Sequence, residues 1–225
     1  MRSEIKTQHS IQVFGIYCGL MLLICITPFV YFIDSHIYRN IVREDHWAEY
    51  ATALALLSSS LIISRRLLIN WKAIRFSEKL GFLMMSLAMF VGFGEEISWG
   101  QRIFNLQSPD FFTDHNLQNE TNIHNLKILD IKLNQWLFTY GMLLVFIIYF
   151  SIPYWIDKHR FVRKMMDRYG LYIPKRTHSL VFLMTTLLIH SYPVPKVSEL
   201  WELSFALTML VVIIQARNQG QTNTH

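Results

Sequence analysis

Six stretches of this chain run nearly uncharged for about the length that a bilayer demands. A spanning helix needs about 20 mostly apolar residues. Residues 11–33, 47–64, 80–99, 133–156, 179–192 and 200–216 meet or approach that length, the fifth being the shortest and ending at Pro193 and Pro195. The first run is too long for the apolar core of a cleavable signal peptide, and no small-residue cleavage site follows it. The expected fold is therefore all-α: a polytopic membrane bundle of six transmembrane helices. It forms a single domain over 1–225, with an extracytoplasmic loop at 100–131. Composition agrees, with 52% hydrophobic and only 16% charged residues, against about 25% charged in an average soluble domain. A disordered chain is excluded and a soluble enzyme disfavoured. Cys18 and Cys25 are seven positions apart in one apolar run, about 10 Å along a helix, too far for a disulfide.

Lysine and arginine placement orients the bundle, because cytoplasmic loops retain cations. With a cytoplasmic N-terminus, the inner segments hold 15 of the 21 cations and the outer segments 6; 12 of the 16 acids lie outside. Both termini are expected in the cytoplasm. The net charge of +5 is thus a topology signal, and no nucleic-acid partner is implied. The inner loops 65–79 and 157–176 mix cations with Trp71, Phe76, Phe161, Tyr169 and Tyr172. They read as retention signals lying on anionic lipid, with a cytoplasmic partner as the alternative. Ala51, Ala55 and Ser59 recur every four residues, a small-residue face for close helix contact.

Ionisable groups inside a membrane are costly and point to function. Counted from the inner cations at 1.5 Å per residue, Glu49 lies roughly 24 Å from Arg65 and Glu95 roughly 24 Å from Lys79. His190 lies roughly 21 Å from Arg176, and Glu202 roughly 22 Å from Arg217. Four helices thus place an ionisable group in one layer below the outer interface, with Glu96 and Glu199 within a turn of it. Each carboxylate alone reads as a side chain reaching water, and a lone His as a packing residue. Together they need cations, a metal or shared protons. Glu49, His190 and Glu202 are the candidate metal ligands, and a divalent ion such as zinc is the candidate cofactor.

The densest cluster is Gly94–Glu95–Glu96–Ile97–Ser98–Trp99–Gly100–Gln101–Arg102. On a continuous helix Glu95, Trp99 and Arg102 share one face, and Glu96 points about 100° away. One glutamate can then do chemistry while the other orients. The plain alternative is a Glu95–Arg102 pair capping the helix, with Trp99 as an interfacial anchor. The glutamate pair ending a membrane helix resembles the first motif, EExxxR, of CAAX-protease and bacteriocin-processing membrane proteases. In this chain Gly100 stands at the arginine position and Arg102 comes two residues later. The FxxxH motif of that family has a counterpart in Phe111–His115, within the loop. The resemblance implies membrane-embedded hydrolysis at Glu95 and Glu96. The wider pattern also resembles bacterial polytopic membrane proteins, which implies the bacterial inner membrane.

The outer loop holds Asn116, Asn119, Asn122 and Asn125 at intervals of three, with His115, Glu120 and His124. Amides both donate and accept, so they suit neutral headgroups; a self-capping surface loop is the alternative. Motifs for zinc proteases, serine hydrolases and phosphate-binding loops are absent from the sequence. The expected catalytic residues are Glu95, Glu96 and His124; the expected substrate-binding residues are Trp99, Arg102, Asn119 and Asn122. The first functional reading is a hydrolase or transferase acting on a lipid or membrane peptide, with metal- or glutamate-activated water as nucleophile. A proton- or cation-coupled transporter and a non-catalytic accessory subunit are the alternatives.

Overall fold

The long apolar runs become long helices because a backbone without water must satisfy its own polar groups. The computed structural model describes residues 2–42, 47–123, 125–128, 131–132 and 140–215. In chain order the helices are α1 (Arg2–Ile33), α2 (Ser35–Val42), α3 (Trp47–Ile69), α4 (Phe76–Glu96), α5 (Gln101–Phe104), α6 (Asp110–His115), α7 (Met142–Trp155), α8 (Arg160–Arg168), α9 (Arg176–Ser191) and α10 (Val197–Gln215). A two-residue antiparallel pair, Lys127–Ile128 with Ile131–Lys132, is the β structure among the described residues. The chain is all-α in class.

Among the described residues, four stretches are long and apolar enough to cross a membrane: Val13–Ile33, Ser35–Ile69, Phe76–Glu96 and Val197–Gln215. Of the other two expected spans, one lies partly outside the described residues and one is short. The apolar part of α7 is Leu143–Trp155, and the first part of the expected span, 133–139, lies outside the described residues. The 16 residues of α9 cover about 24 Å, less than a 30 Å hydrocarbon core. The third expected span also ends early, at Glu96 rather than at 99, because the chain turns left-handed from Ser98 onward.

Small side chains set the closest helix contacts. On α3 the buried positions include Ala48, Thr52, Ala55, Ser59 and Ser60; Ala51 is half-buried. The Ser60 hydroxyl lies 2.9 Å from the Ser86 carbonyl, and Ser64 Oγ lies 2.7 Å from Ser86 Oγ. These bonds tie α3 to α4 where no water competes. Ala55 and Leu56 pack on Ala206 of α10, whose Leu203, Val211, Val212 and Ile213 are fully covered. From α9, the Thr185 hydroxyl accepts from Ser204 at 2.7 Å, and Thr186 accepts from Trp201 Nε1 at 3.1 Å. Phe146 of α7 stacks on Phe205 with ring centres 3.7 Å apart.

The outward faces stay apolar. Leu54, Leu61 and Leu68 on α3, Leu83, Leu87 and Phe90 on α4, and Leu180, Leu183 and Leu187 on α9 are all exposed. Continuous apolar faces of this extent suit a lipid environment and not water.

The two ends of the bundle differ in charge. At one end Arg66 of α3 donates to the Tyr172 hydroxyl at 2.9 Å and to the Ile213 carbonyl at 2.6 Å. Lys175 reaches Gln215, and Arg75 reaches the Asp167 carbonyl. At the other end, Glu49 begins α3, Glu95 and Glu96 finish α4, and Glu199 and Glu202 begin α10. The Tyr38 hydroxyl donates to the Pro195 carbonyl at 2.6 Å and ties α2 to the turn before α10.

Candidate functional site

The acidic end is built around the break after α4. Ser98, Trp99 and Gly100 have φ of 46°, 53° and 80°. The left-handed region costs an L-residue roughly 1–2 kcal/mol, so Ser98 and Trp99 are held there by their surroundings. The Ser98 hydroxyl donates to Glu120 Oε2 at 2.7 Å and accepts from Asn122 Nδ2 at 3.1 Å. Trp99 folds back so that its ring covers Gly94. A Cβ at Gly94 would lie 2.8 Å from that ring, so glycine is required for the close approach. The indole Nε1 then donates to Glu95 Oε1 at 2.8 Å.

Glu95 is buried, and its second oxygen accepts the Ile123 amide at 2.7 Å. It thereby pins the loop at Ile123 to the end of α4. Arg102 is the central cation. Its Nη2 lies 2.5 Å from Glu49 Oε1 and 3.0 Å from the Glu96 carbonyl, and its Nη1 lies 2.8 Å from Glu120 Oε1. The side chains of Arg102, Glu49 and Glu120 are 17%, 12% and 12% exposed, so these are shielded pairs. Glu96, the next residue of α4, is half-buried. It lies within electrostatic reach of Glu199, Glu49, Arg102 and Glu95. Glu202 lies within reach of Glu199, Glu96 and Glu49. The ends of three long helices thus concentrate carboxylates in one region.

The loop over this end is a network of its own amides. Asn116 Nδ2 donates to the Asn122 carbonyl and side chain at 2.9 and 2.8 Å, and Asn116 Oδ1 accepts the Gln118 and Glu120 amides. Asn122 Nδ2 also donates to Glu120 Oε2 at 2.8 Å. The Gln101 side chain accepts the Thr121 amide at 2.6 Å. The buried Asn116, Asn122 and Asn125 are held by loop contacts.

The sequence-derived site residues divide accordingly. Glu49, Glu95, Glu96, Trp99, Arg102 and Asn122 come together with Glu120 and Ser98, and Glu202 lies alongside through Glu96 and Glu199. His190 is exposed; its Nδ1 lies 2.9 Å from the Thr186 carbonyl, and its ring meets Trp201 edge-on at 6.2 Å. Asn119 is exposed with φ 57°, and its carbonyl accepts from Ser108 at 2.6 Å. His124 lies outside the described residues. His115 is exposed and stacks on Phe111 at 4.8 Å.

Among the described residues, no three His, Cys, Asp or Glu side chains are grouped to hold a metal ion. Glu49, His190 and Glu202 accordingly do not form a chelating set. Ser98 and the pairing role of Glu120 escaped sequence reasoning. The available signal was one acid in the asparagine-rich loop facing one arginine after α4. Reading α4 as continuous to residue 99 pointed Arg102 toward Glu95 instead. No protein-family model matches the chain, and no curated protein or solved structure matches it.

Proposed function

We propose that this chain is an integral membrane protein of the bacterial inner membrane, with six spans, both termini cytoplasmic and the acidic end outside. At that end it carries out glutamate-dependent acid–base chemistry on a lipid or membrane peptide. The observation that supports this reading is the divergence of adjacent carboxylates. Glu95 is engaged by Trp99 and the Ile123 amide, whereas Glu96 lies within electrostatic reach of Glu199, Glu49, Arg102 and Glu95. Glu95 orients the strained turn and the loop, and Glu96 is the residue placed to exchange a proton. Carboxylates close together in low dielectric share protons, and a positioned carboxylate beside water is a competent general base. Strained backbone at Ser98 and Trp99 is the kind of outlier that accompanies such sites.

The test is Glu96→Gln in purified full-length protein. The wild type should convert a component of a bacterial lipid extract or a panel of synthetic membrane peptides, followed by mass spectrometry. The variant should lose that conversion while folding and inserting normally. Unchanged turnover in Glu96→Gln would remove the proposal.

Proton- or cation-coupled transport is the second reading. It is favoured by the buried hydroxyls of Ser59, Ser60 and Ser86 and by Thr208, whose Oγ1 is buried without a hydrogen-bond partner among the described residues. These lie on the helices between the acidic end and Arg66. Proton uptake into liposomes containing the protein, lost in Glu96→Gln without any lipid or peptide conversion, would favour it.

A further inference from the structure

The basic end carries a feature independent of the chemistry proposed at the acidic end. Between the start of α4 and α8 lies an open cleft of about 610 Å³, lined by Arg75, Arg160, Arg163, Lys164, Arg168 and Asp167. Five cations face one carboxylate there. Two are engaged locally: Arg75 pairs with Glu78 at 2.7 Å and Arg163 pairs with Asp157. Arg160 and Lys164 enter no ion pair among the described residues. Arg168 lies over the Tyr169 ring at 5.9 Å.

Arg160, Lys164 and Arg168 stand at i, i+4 and i+8, one stripe of α8. Like charges at that spacing destabilise a helix, so the stripe is unfavourable unless an anion lies against it. The walls are held together. Arg75 Nη2 donates to the Asp167 carbonyl at 3.0 Å, and a Cβ at Gly81 would lie 1.8 Å from the Tyr169 carbonyl oxygen. The end of α8 is therefore seated directly on α4.

The cleft opens among aromatics. Phe76 beside Arg75 is 81% exposed and Phe161 beside Arg160 is 74% exposed. Trp71 carries the Lys79 ammonium 4.6 Å from its ring centre. Exposed aromatic rings with flanking cations mark the headgroup level of a bilayer, and α8 has the amphipathic composition of a helix lying in that interface. We infer that this cleft binds the phosphate of an anionic membrane lipid, held by Arg160, Lys164 and Arg168.

The experiment uses full-length protein in nanodiscs of mixed phosphatidylglycerol and phosphatidylcholine, with spin-labelled lipids reporting the preference for the anionic one. Wild type should prefer phosphatidylglycerol. The Arg160→Gln/Lys164→Gln/Arg168→Gln variant should lose on the order of a hundredfold of that preference, given a contribution of about fivefold per cation near the surface. Arg65→Gln/Lys72→Gln removes two exposed cations of the same end outside the cleft and should retain it. The Arg160→Lys/Arg168→Lys variant, which keeps the charge, should bind like wild type, and its retained binding separates loss of site from loss of fold. Equal loss in both glutamine variants would mean a diffuse basic surface and overturn the proposal, as would full preference in the triple variant. Displacement of the labelled lipid by millimolar inorganic phosphate would assign the cleft to free phosphate and overturn the lipid assignment.

Discussion

Arg102 Nη2 lies 2.5 Å from Glu49 Oε1, a carboxylate 53 positions earlier in the chain. The same guanidinium holds Glu120 at 2.8 Å. One cation therefore joins the start of α3, the segment after α4 and the loop that carries Glu120.

Removing that cation should be costly. Arg102→Gln leaves Glu49 and Glu120 shielded without it, and breaking a buried pair by deleting one partner costs about 3–5 kcal/mol. Partial exposure places the expected loss at the lower end, about 3 kcal/mol. Unfolding in detergent measures it. In a double-mutant cycle, Arg102→Gln with Glu120→Gln should lose less than the sum of the single variants. Simple additivity would mean the pair is not coupled.

Gly94→Ala should displace the Trp99 ring, since the added methyl would sit 2.8 Å from it. Inserting a methyl into a tight contact costs about 1–3 kcal/mol. Trp99→Phe, which deletes the Nε1 donor to the buried Glu95 together with the ring atoms packed on Gly94, should cost about 1–3 kcal/mol. Tryptophan emission, compared in a Trp99→Phe background, should shift on Gly94→Ala only when Trp99 is present.

The charge asymmetry of the loops predicts orientation. With Cys18 and Cys25 replaced by alanine, single cysteines at the exposed Gln107 and Ala73 report the two ends. An impermeant thiol reagent added to intact cells should label Gln107→Cys and spare Ala73→Cys. The reverse pattern would place the acidic end in the cytoplasm.

Gly81→Val should unseat α8 from α4, because even a Cβ meets the Tyr169 carbonyl at 1.8 Å. Limited proteolysis between residues 157 and 176 should accelerate severalfold, while the Ser60–Ser86 contact and α3–α4 pairing persist. Unchanged cleavage would show that the connection tolerates the added side chain.

The apolar runs were legible because hydrophobic length needs no partner to be read. Val13–Ile33, Phe76–Glu96 and Val197–Gln215 follow the runs closely, and helical rise brought Glu49, Glu95 and Glu202 to one end. His190 shared that depth, yet rise says nothing about rotation, and α9 turns it outward. The apolar run at 80–99 outlasts its helix, which ends at Glu96, because positive φ at Ser98 and Trp99 is imposed from outside the segment.

From the chain alone come helix class, the apolar faces, the separation of cations from acids and the glutamate-rich end. All of these follow from local composition and a fixed rise per residue. The partners of Arg102, the divergence of Glu95 from Glu96 and the cleft between α4 and α8 come from tertiary structure. Each depends on contacts between segments distant in sequence: Glu120 against Ser98, Ile123 against Glu95 and Tyr169 against Gly81. Such contacts decide which of several compatible polar groups satisfies another, and no spacing along a single helix encodes that choice.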